Sequence, residues 1–488
     1  MSTVEFIDQT LRDGQQSWWG MRMRLGHALP IAPDLDRVGY HAVDIAGSSI
    51  FEVQVRHCRE DPWEYLSALS AAMPRSRLRA GTRSNGIVTF GLTPDSVMDL
   101  WVRRLVAHGM SSFWIYDGLF NIDKVARLTR VAKGEGAEVV PCILFANSPV
   151  HTDEYYAAKA KEFAALGPDA IEFEDAAGVL TPERARTLFP AIVGAIEGLP
   201  LELHLHNNGT MAPLCYLEGI RLGASRIHTA ARPLANGVAH PSVEMTLRNI
   251  RACGYDATID DSGFPRIADH LIGVAEGEHW PVGTPAEYDV TTYQHQLPGG
   301  MTGTMLNQLR DRGMAHRLDD VLHEMARVRE ELGYPVMATP FSQLVGTQAV
   351  LNVTTKERYE IVPDEVLFYA CGHYGEPVGT LDPDVLDRIM SSPRAKEFVD
   401  YEPPQPTLDE LRKQMGTGGN DDELLLRLLV NEDDIAAMRA AGPARRDYPI
   451  PRSPEVRLLK KLLAHASGSH VHLETGDMTV TLGRHVHS

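Results

Sequence analysis

The chain has 488 residues, which is more than one compact domain usually holds and suits a large barrel followed by a second unit. Its formal net charge of −18 argues against nucleic acid as a partner. The five cysteines show no CxxC spacing, the N-terminus lacks the features of a signal peptide, and no apolar run approaches membrane-spanning length. We therefore expect a cytoplasmic protein without a nucleic-acid partner or a membrane span.

Short apolar runs alternate with amphipathic stretches through the first half of the chain. Alternation of this kind indicates parallel strands joined by right-handed helical crossovers. The pattern predicts an α/β fold of the (β/α)8 TIM-barrel type. A doubly wound open sheet is the alternative, but no G-x-G-x-x-G follows the first strand. The predicted strands are residues 4–8, 41–47, 86–90, 111–117, 138–145, 169–175, 201–206 and 225–231.

Helical patterns broken by Pro and Gly replace this alternation in the second half of the chain. We predict a catalytic barrel over residues 1–300, a mostly helical domain over 301–465 and a C-terminal tail over 466–488. The tail has a short alternating segment and four histidines that suit a metal, although a frayed terminus is the preferred interpretation. These histidines are His470, His472, His485 and His487.

Chemically capable side chains follow two of the predicted strands at the end where TIM barrels carry their active sites. Arg12, Asp13 and Gln16 follow the first strand, whereas His204 and His206 end the seventh. Residues two apart in a strand point to the same side, so both imidazoles can face one point. With one carboxylate they form a common ligand set for a divalent metal, and two packed or surface histidines are the alternative. We expect zinc, with manganese or cobalt as alternatives.

Longer motifs resemble a known family. They are DQTLRDGQQS (8–17), EDPWEYL (60–66), SPVHTDEYY (148–156), QLPGGM (296–301) and LGYPVMATPFSQLVGTQAVLNV (332–353). All resemble the carboxyltransferase family, which comprises the carboxyltransferase domain of pyruvate carboxylase, the oxaloacetate decarboxylase α subunit and the transcarboxylase 5S subunit. The resemblance implies a metal-dependent barrel, a helical domain that helps to form a funnel to the site, and a homodimer or higher homo-oligomer.

The resemblance also implies roles for individual residues. It assigns three metal ligands: Asp13, His204 and His206. It assigns three residues to catalysis and binding around a 2-oxo acid: Arg12, Gln16 and Arg83. An arginine suits a substrate carboxylate because it offers paired donors in one plane, and the metal would polarise the adjacent carbonyl. Glu52 stands where the family has an aspartate near the substrate, with an ordinary surface carboxylate as the alternative.

Departures from the family occur at functional positions. Glu174 replaces a carboxylated, metal-bound lysine. Its shorter stem should keep it from direct ligation unless the metal shifts, and would leave a water molecule between them, with an ordinary ion pair as the alternative. Val238 replaces a threonine that transfers a proton between biotin and pyruvate, and Phe90 replaces a pocket tyrosine, so two hydroxyls next to the substrate are lost. Asn236 loosely resembles a metal-binding asparagine of related lyases, but Asn-Gly also favours a turn.

Three functions fit a chain that keeps the family's metal ligands but departs from the family next to the substrate. The leading hypothesis is a metal-dependent carboxyltransferase or decarboxylase that acts on a small 2-oxo acid, such as pyruvate or oxaloacetate, through a metal-stabilised enolate. The chain ends without a Met-Lys-Met biotinylation signature, so biotin would have to arrive on a separate carrier protein. One alternative is a biotin-independent lyase, aldolase or Claisen-type condensing enzyme. The other is an inactive scaffold or carrier-binding subunit.

Overall fold

Eight parallel strands close into a barrel, because β1 pairs with both β8 and β2. The computed structural model describes residues 3–88, 91–299, 301, 309–310, 313–449, 456, 458–459, 462, 470–475 and 478–483. The barrel strands are β1 Thr3–Asp8, β2 Ala42–Gly47, β3 Leu78–Arg83, β4 Ser112–Tyr116, β5 Glu138–Leu144, β6 Ile171–Asp175, β7 Leu201–Leu205 and β8 Arg226–Thr229. This confirms the predicted TIM barrel and excludes the doubly wound sheet. A short strand, β9 (Asp256–Ala257), pairs with the start of β1.

The third predicted strand is wrong. Residues 86–88 form a loop, and β3 is instead Leu78–Arg83, which pairs with β4 so that Arg83 lies opposite Tyr116. The error has a physical cause: β3 reads LRAGTR, and its two arginines are buried inside the fold rather than exposed to solvent. Its Arg79 is fully buried, which the preference of strands for apolar and β-branched residues does not anticipate.

The helices between the strands begin at defined caps. The side-chain oxygens of Asp61, Asn121, Thr152, Thr181 and Ser242 each accept a backbone N–H in the first turn of the following helix. The α-helices on the barrel are Gln15–Trp19, Leu25–Ala28, Ala32–Val38, Ser48–Val53, Pro62–Ala72, Asp95–Ala107, Ile122–Gly134, Asp153–Ala164, Pro182–Ala195, Ala212–Arg221, Val243–Ala252 and Phe264–Glu278. Short π- or 3-10-helical segments cover Thr10–Gly14, Leu29–Ile31, Gln54–Cys58 and Asp261–Gly263.

A buried ion-pair network fills one layer of the barrel interior. The Arg79 guanidinium donates to Glu202 at 2.6 Å, to Glu138 at 3.1 Å and to Ser112 at 2.9 Å. Arg226 pairs with the same Glu202 at 2.8 Å. Burial opposes the charge on Glu202, but the nearby Arg79 outweighs it and holds the pKa of that carboxyl well below its usual range. The network lies below the layer that contains His204 and Glu174.

Gly81 makes room for the indole of Trp114 inside the barrel. A Cβ at Gly81 would lie 2.3 Å from the Trp114 ring, whose Nε1 donates to Asp44 at 2.9 Å. We expect Gly81→Ala to displace the indole and to lower the free energy of unfolding by about 1–3 kcal/mol, as overpacking does. Urea denaturation followed by tryptophan fluorescence measures both effects. Gly134→Ala is the control, because Gly134 has open space around it. Equal stability of the two variants would contradict the role of Gly81.

Helices predominate after the barrel. They are Thr292–His295, Leu318–Glu331, Phe341–Thr354, Asp364–Ala370, Pro383–Met390, Ala395–Val399, Leu408–Met415, Asp421–Leu429 and Glu432–Ala441, with a 3-10 turn at Ala315–Arg317. Phe341 packs directly on Gly118 at the barrel mouth, where a Cβ would lie 2.1 Å from its ring. Farther along the chain, Asp434 accepts from Arg59 at 2.7 Å, which holds the helix Glu432–Ala441 against the barrel.

The tail forms an antiparallel hairpin of β10 (His470–Thr475) and β11 (Met478–Gly483). Within it, the His472 ring contacts the Thr481 hydroxyl at 2.8 Å. Two of the four tail histidines, His485 and His487, lie outside the described residues. Among the helices that the structure describes, none has the length and apolar character needed to cross a membrane.

Candidate metal centre and substrate cavity

A cavity of about 820 Å³ lies between the barrel mouth and the helix Phe341–Thr354. Arg12, Asp13, Glu174 and His206 line it from the barrel, together with Trp114 and Tyr116. The helical side contributes Thr339, Ser342, Gln343 and Thr347. Both parts of the chain therefore form the walls of one cavity, and its volume is within the range of small-molecule sites.

Asp13 lies at the floor of this cavity between two histidines. Its carboxylate oxygens are 3.3 Å from His206 Nε2 and 3.6 Å from His204 Nε2. Burial opposes the charge on Asp13, but His206 and Arg12 outweigh it and hold the pKa of this carboxyl well below its usual range. The same pairing overcomes the effect of burial at His206 and raises the pKa of that imidazole to about 9. The structure thus brings together the three predicted metal ligands.

Hydrogen bonds at the opposite ring nitrogens orient both histidines. His206 Nδ1 donates to the backbone carbonyl of Val238 at 2.8 Å, so its Nε2 faces Asp13. Gln9 Nε2 and His204 Nδ1 each lie 3.0 Å from His228 Nδ1. Because an amide nitrogen only donates, His228 Nδ1 accepts and His204 Nδ1 carries the proton. The lone pair of His204 Nε2 is then free. Metal-binding histidines are held in this way.

Arg12 is fixed on three sides. Its guanidinium pairs with Asp13 at 2.9 Å and with Asp44 at 3.3 Å, and it lies 4.8 Å from the centre of the Trp114 ring. Burial opposes the charge, but these two carboxylates raise the pKa of Arg12 above its usual range. Its Nη2 is buried and has no hydrogen-bond partner among the residues described. A buried, charged donor of this kind is suited to binding an anionic oxygen of a ligand.

Glu174 lines the cavity but makes no hydrogen bond to His204 or His206. Its carboxylate accepts from Cys142 Sγ at 3.4 Å. Burial raises the pKa of Glu174, and the charge of Arg12 opposes this shift only in part. The structure therefore brings Glu174 to the site, where its charge interacts with Asp13 and His206 while its hydrogen bond is with Cys142.

The structure places the other predicted site residues in different surroundings. Gln16 lines the cavity. Arg83 lies at the end of β3 and is buried, with its Nη2 donating to the carbonyl of Ile87 at 3.1 Å, and it is outside the set of described residues that line the cavity. Glu52 pairs with Arg56 at 2.7 Å on a partly exposed helix. Phe90 lies outside the described residues.

Two predicted site residues, Val238 and Asn236, lie in the loop after β8 and have structural roles there. Val238 supplies the carbonyl that accepts from His206, while its side chain packs against Gly299, where an added Cβ would lie 2.6 Å away. Asn236 has a positive φ of 67°, and its side-chain oxygen accepts from the Ser242 N–H at 3.3 Å. Its side chain therefore closes a turn, which is the alternative that Asn-Gly favours.

Sequence reasoning missed His240, which follows in the same loop. Its ring centre lies 4.2 Å from that of His204 and 4.7 Å from that of His206. Burial holds the pKa values of His204 and His240 well below the ordinary value, so both imidazoles are neutral. No local pattern marks His240, because it reaches the site through the path of a loop and not through strand periodicity.

Comparisons with known proteins agree with this architecture. A family model described as "Conserved carboxylase domain" matches residues 292–440. A pyruvate carboxylase subunit of Methanocaldococcus jannaschii is 33% identical over 460 residues, which make up 93% of this chain and 80% of that protein. The chain belongs to the carboxyltransferase family of pyruvate carboxylases.

Other members of the family are similar over comparable lengths. The methylmalonyl-CoA carboxyltransferase 5S subunit of Propionibacterium freudenreichii subsp. shermanii is 28% identical over 452 residues, covering 90% of this chain and 88% of that protein. A variant carboxyl transferase domain of Rhizobium etli pyruvate carboxylase, solved with pyruvate, superposes with a TM-score of 0.83 at 23% identity and covers 99% of this chain and 84% of that one. This carboxyltransferase-family chain is thus an enzyme built on the barrel and helical region of its relatives.

Proposed function

We propose that this protein is a metal-dependent carboxyltransferase that acts on a small 2-oxo acid of the pyruvate or oxaloacetate type. One observation carries the proposal: the partnerless Nη2 of Arg12 lies in the same cavity as Asp13, to which the free nitrogen of His204 points. A 2-oxo acid presents a carboxylate next to a keto oxygen. The carboxylate would bind to the arginine, and the keto oxygen would bind to a divalent cation.

The donor set fits such a cation. Asp13 and the Nε2 atoms of His204 and His206 would hold a divalent ion, which would replace the proton that Asp13 stabilises on His206. Zinc is the expected metal, with manganese or cobalt as alternatives. A bound ion would polarise the keto group and stabilise negative charge that develops on its oxygen. Arg12, which Asp44 and Trp114 hold in place, would orient the substrate carboxylate without having to reorganise. The chain thereby supplies both the ligands and the orientation.

Two observations, the size of the cavity and the kinds of relatives, indicate a second reactant. A volume of about 820 Å³ exceeds what a three-carbon acid needs, and the helical wall adds the polar groups of Thr339, Ser342 and Gln343. The relatives include a pyruvate carboxylase subunit and a 2-oxoglutarate carboxylase large subunit. We therefore propose that biotin arrives on a separate carrier protein and that the chain works as a homodimer or higher homo-oligomer.

Val238 favours a second candidate, a biotin-independent lyase, aldolase or condensing enzyme. The threonine of the resembling family would carry a transferable proton at this position, whereas Val238 offers a backbone carbonyl and an apolar side chain packed on Gly299. Loss of a general acid or base typically lowers a rate by about two to four orders of magnitude. An enzyme that keeps the metal ligands and Arg12 but needs no biotin would tolerate this loss.

The test compares three readouts on one preparation. The metal content of the purified protein is measured first, followed by oxaloacetate loss and hydrogen exchange of pyruvate. The two reactions are followed with no biotin, with free biotin and with a biotinylated carrier protein. Asp13→Asn is the matched control, because it keeps the size of the side chain and removes one ligand charge.

We expect metal-dependent turnover that rises with biotin and is lost in Asp13→Asn. Turnover that depends on metal but is indifferent to biotin would overturn carboxyl transfer and support the biotin-independent candidate. A protein that binds no metal and turns over neither acid would be a scaffold, which is the third interpretation.

A further inference from the structure

His240 is a fully buried imidazole without a hydrogen-bond partner. Both of its ring nitrogens, Nδ1 and Nε2, are inaccessible to solvent and unpaired within the part of the chain that the structure describes. Leaving a buried polar atom unsatisfied destabilises the folded chain. Buried polar groups are almost always paired, so a missing partner indicates that a water molecule or an ion binds here.

The position of His240 indicates which ligand. One nitrogen from each of His204, His206 and His240 lies within 4.8 Å of the other two. Two nitrogens that bind one zinc ion, each about 2.1 Å from it, are themselves about 3.4 Å apart in a tetrahedral site. Small side-chain rotations therefore suffice to bring all three imidazoles onto one ion.

No hydrogen bond within the described part of the chain occupies either nitrogen of the His240 ring. The ring packs edge-to-face on that of His204, at 87°, and is tilted at 49° to that of His206. The loop that carries it is anchored by its backbone, since the Asn236 N–H donates to the His240 carbonyl at 2.6 Å. The side chain is thus held against the two histidines while its own nitrogens remain unused.

We propose that His240 is a direct protein ligand of the divalent metal, completing a set of three histidines with Asp13. This inference rests on the proposed function, because it needs His204, His206 and Asp13 to hold that metal. It gives His240 the ligand position that the resemblance assigns to residue 174. Glu174, whose carboxylate accepts from Cys142, is then free of the metal.

The test replaces one candidate ligand at a time in the full chain. His240→Gln and Glu174→Gln are stripped of metal and titrated with zinc by calorimetry. His270→Gln is the matched control, because His270 is a buried histidine on the helix Phe264–Glu278 that donates to the His27 carbonyl. Zinc-edge X-ray absorption then counts the imidazoles on the bound ion, and thermal melting of each variant checks that it folds.

We expect three imidazoles in the wild-type protein and two in His240→Gln. Since outer partners of a metal site already contribute about 10–100-fold, loss of a direct ligand should weaken zinc affinity by about 100-fold or more. Glu174→Gln and His270→Gln should keep three imidazoles. Two imidazoles in the wild type, or unchanged affinity in His240→Gln, would overturn the assignment of His240 and leave the metal site intact. A wild-type protein that binds no zinc, manganese or cobalt would instead overturn the proposed function.

Discussion

Replacing His204 with alanine should abolish binding of the divalent metal and lower turnover of a 2-oxo acid by about a thousandfold or more. A metal ion contributes several kcal/mol of charge stabilisation, and each 1.36 kcal/mol is a factor of ten in rate. His204 is central to the ligand set because its Nε2 points at Asp13 while His228 holds its Nδ1. Metal content by mass spectrometry and initial rates of oxaloacetate loss measure both effects.

Glu174→Ala provides the contrast. The carboxylate of Glu174 is bonded to Cys142 at 3.4 Å and not to the histidines, so we expect only about a tenfold loss of metal affinity. His204→Gln, which preserves more of the buried volume, separates loss of the ligand from loss of packing. If Glu174→Ala removed the metal as completely as His204→Ala, Glu174 would be a direct ligand and the assignment of the site would be wrong.

Arg79→Leu should destabilise the barrel by about 3–5 kcal/mol, the usual effect of breaking a buried ion pair. The substitution leaves Glu202 fully buried with Arg226 at 2.8 Å and His228 at 3.4 Å as its remaining partners. It also removes one of the donors to Glu138. The free energy of unfolding in urea, followed by tryptophan fluorescence, measures the change.

Arg103→Leu is the matched control for this prediction. Arg103 is about half exposed and pairs with Glu135 at 3.4 Å, so its loss should change stability by less than about 1 kcal/mol. The double variant Arg79→Leu with Glu202→Leu should recover part of the loss, because it removes the uncompensated charge. A cost below about 1 kcal/mol for Arg79→Leu alone would show that the network does not stabilise the barrel.

The strands show how far sequence patterns reach in this fold. The predicted segment 111–117 contains β4 (Ser112–Tyr116), and 201–206 contains β7 (Leu201–Leu205), because both carry apolar residues on the face that packs against helices. β3 was missed because Arg79 faces inward and is neutralised by Glu202 from a distant strand. Only the closed barrel brings those two residues together, so no local window contains the signal.

In the candidate site, too, residues that meet only in the folded chain could not be predicted from the sequence. Asp13, His204 and His206 could be predicted because two lie on one strand and the third follows another at the same end of the barrel. Trp114, which lies under Arg12, was not predicted, since its role depends on the space above Gly81. His240 also requires the three-dimensional path of its loop, which Asn236 and its turn determine.

Anomalous diffraction from crystals grown with zinc and pyruvate tests the central claim most directly. We predict one strong zinc peak bounded by Asp13, His204 and His206, with the pyruvate carboxylate at Arg12 Nη2 and its keto oxygen on the metal side. A peak elsewhere in the chain, or pyruvate bound away from Arg12, would contradict the proposal that this cavity holds a 2-oxo acid on a metal.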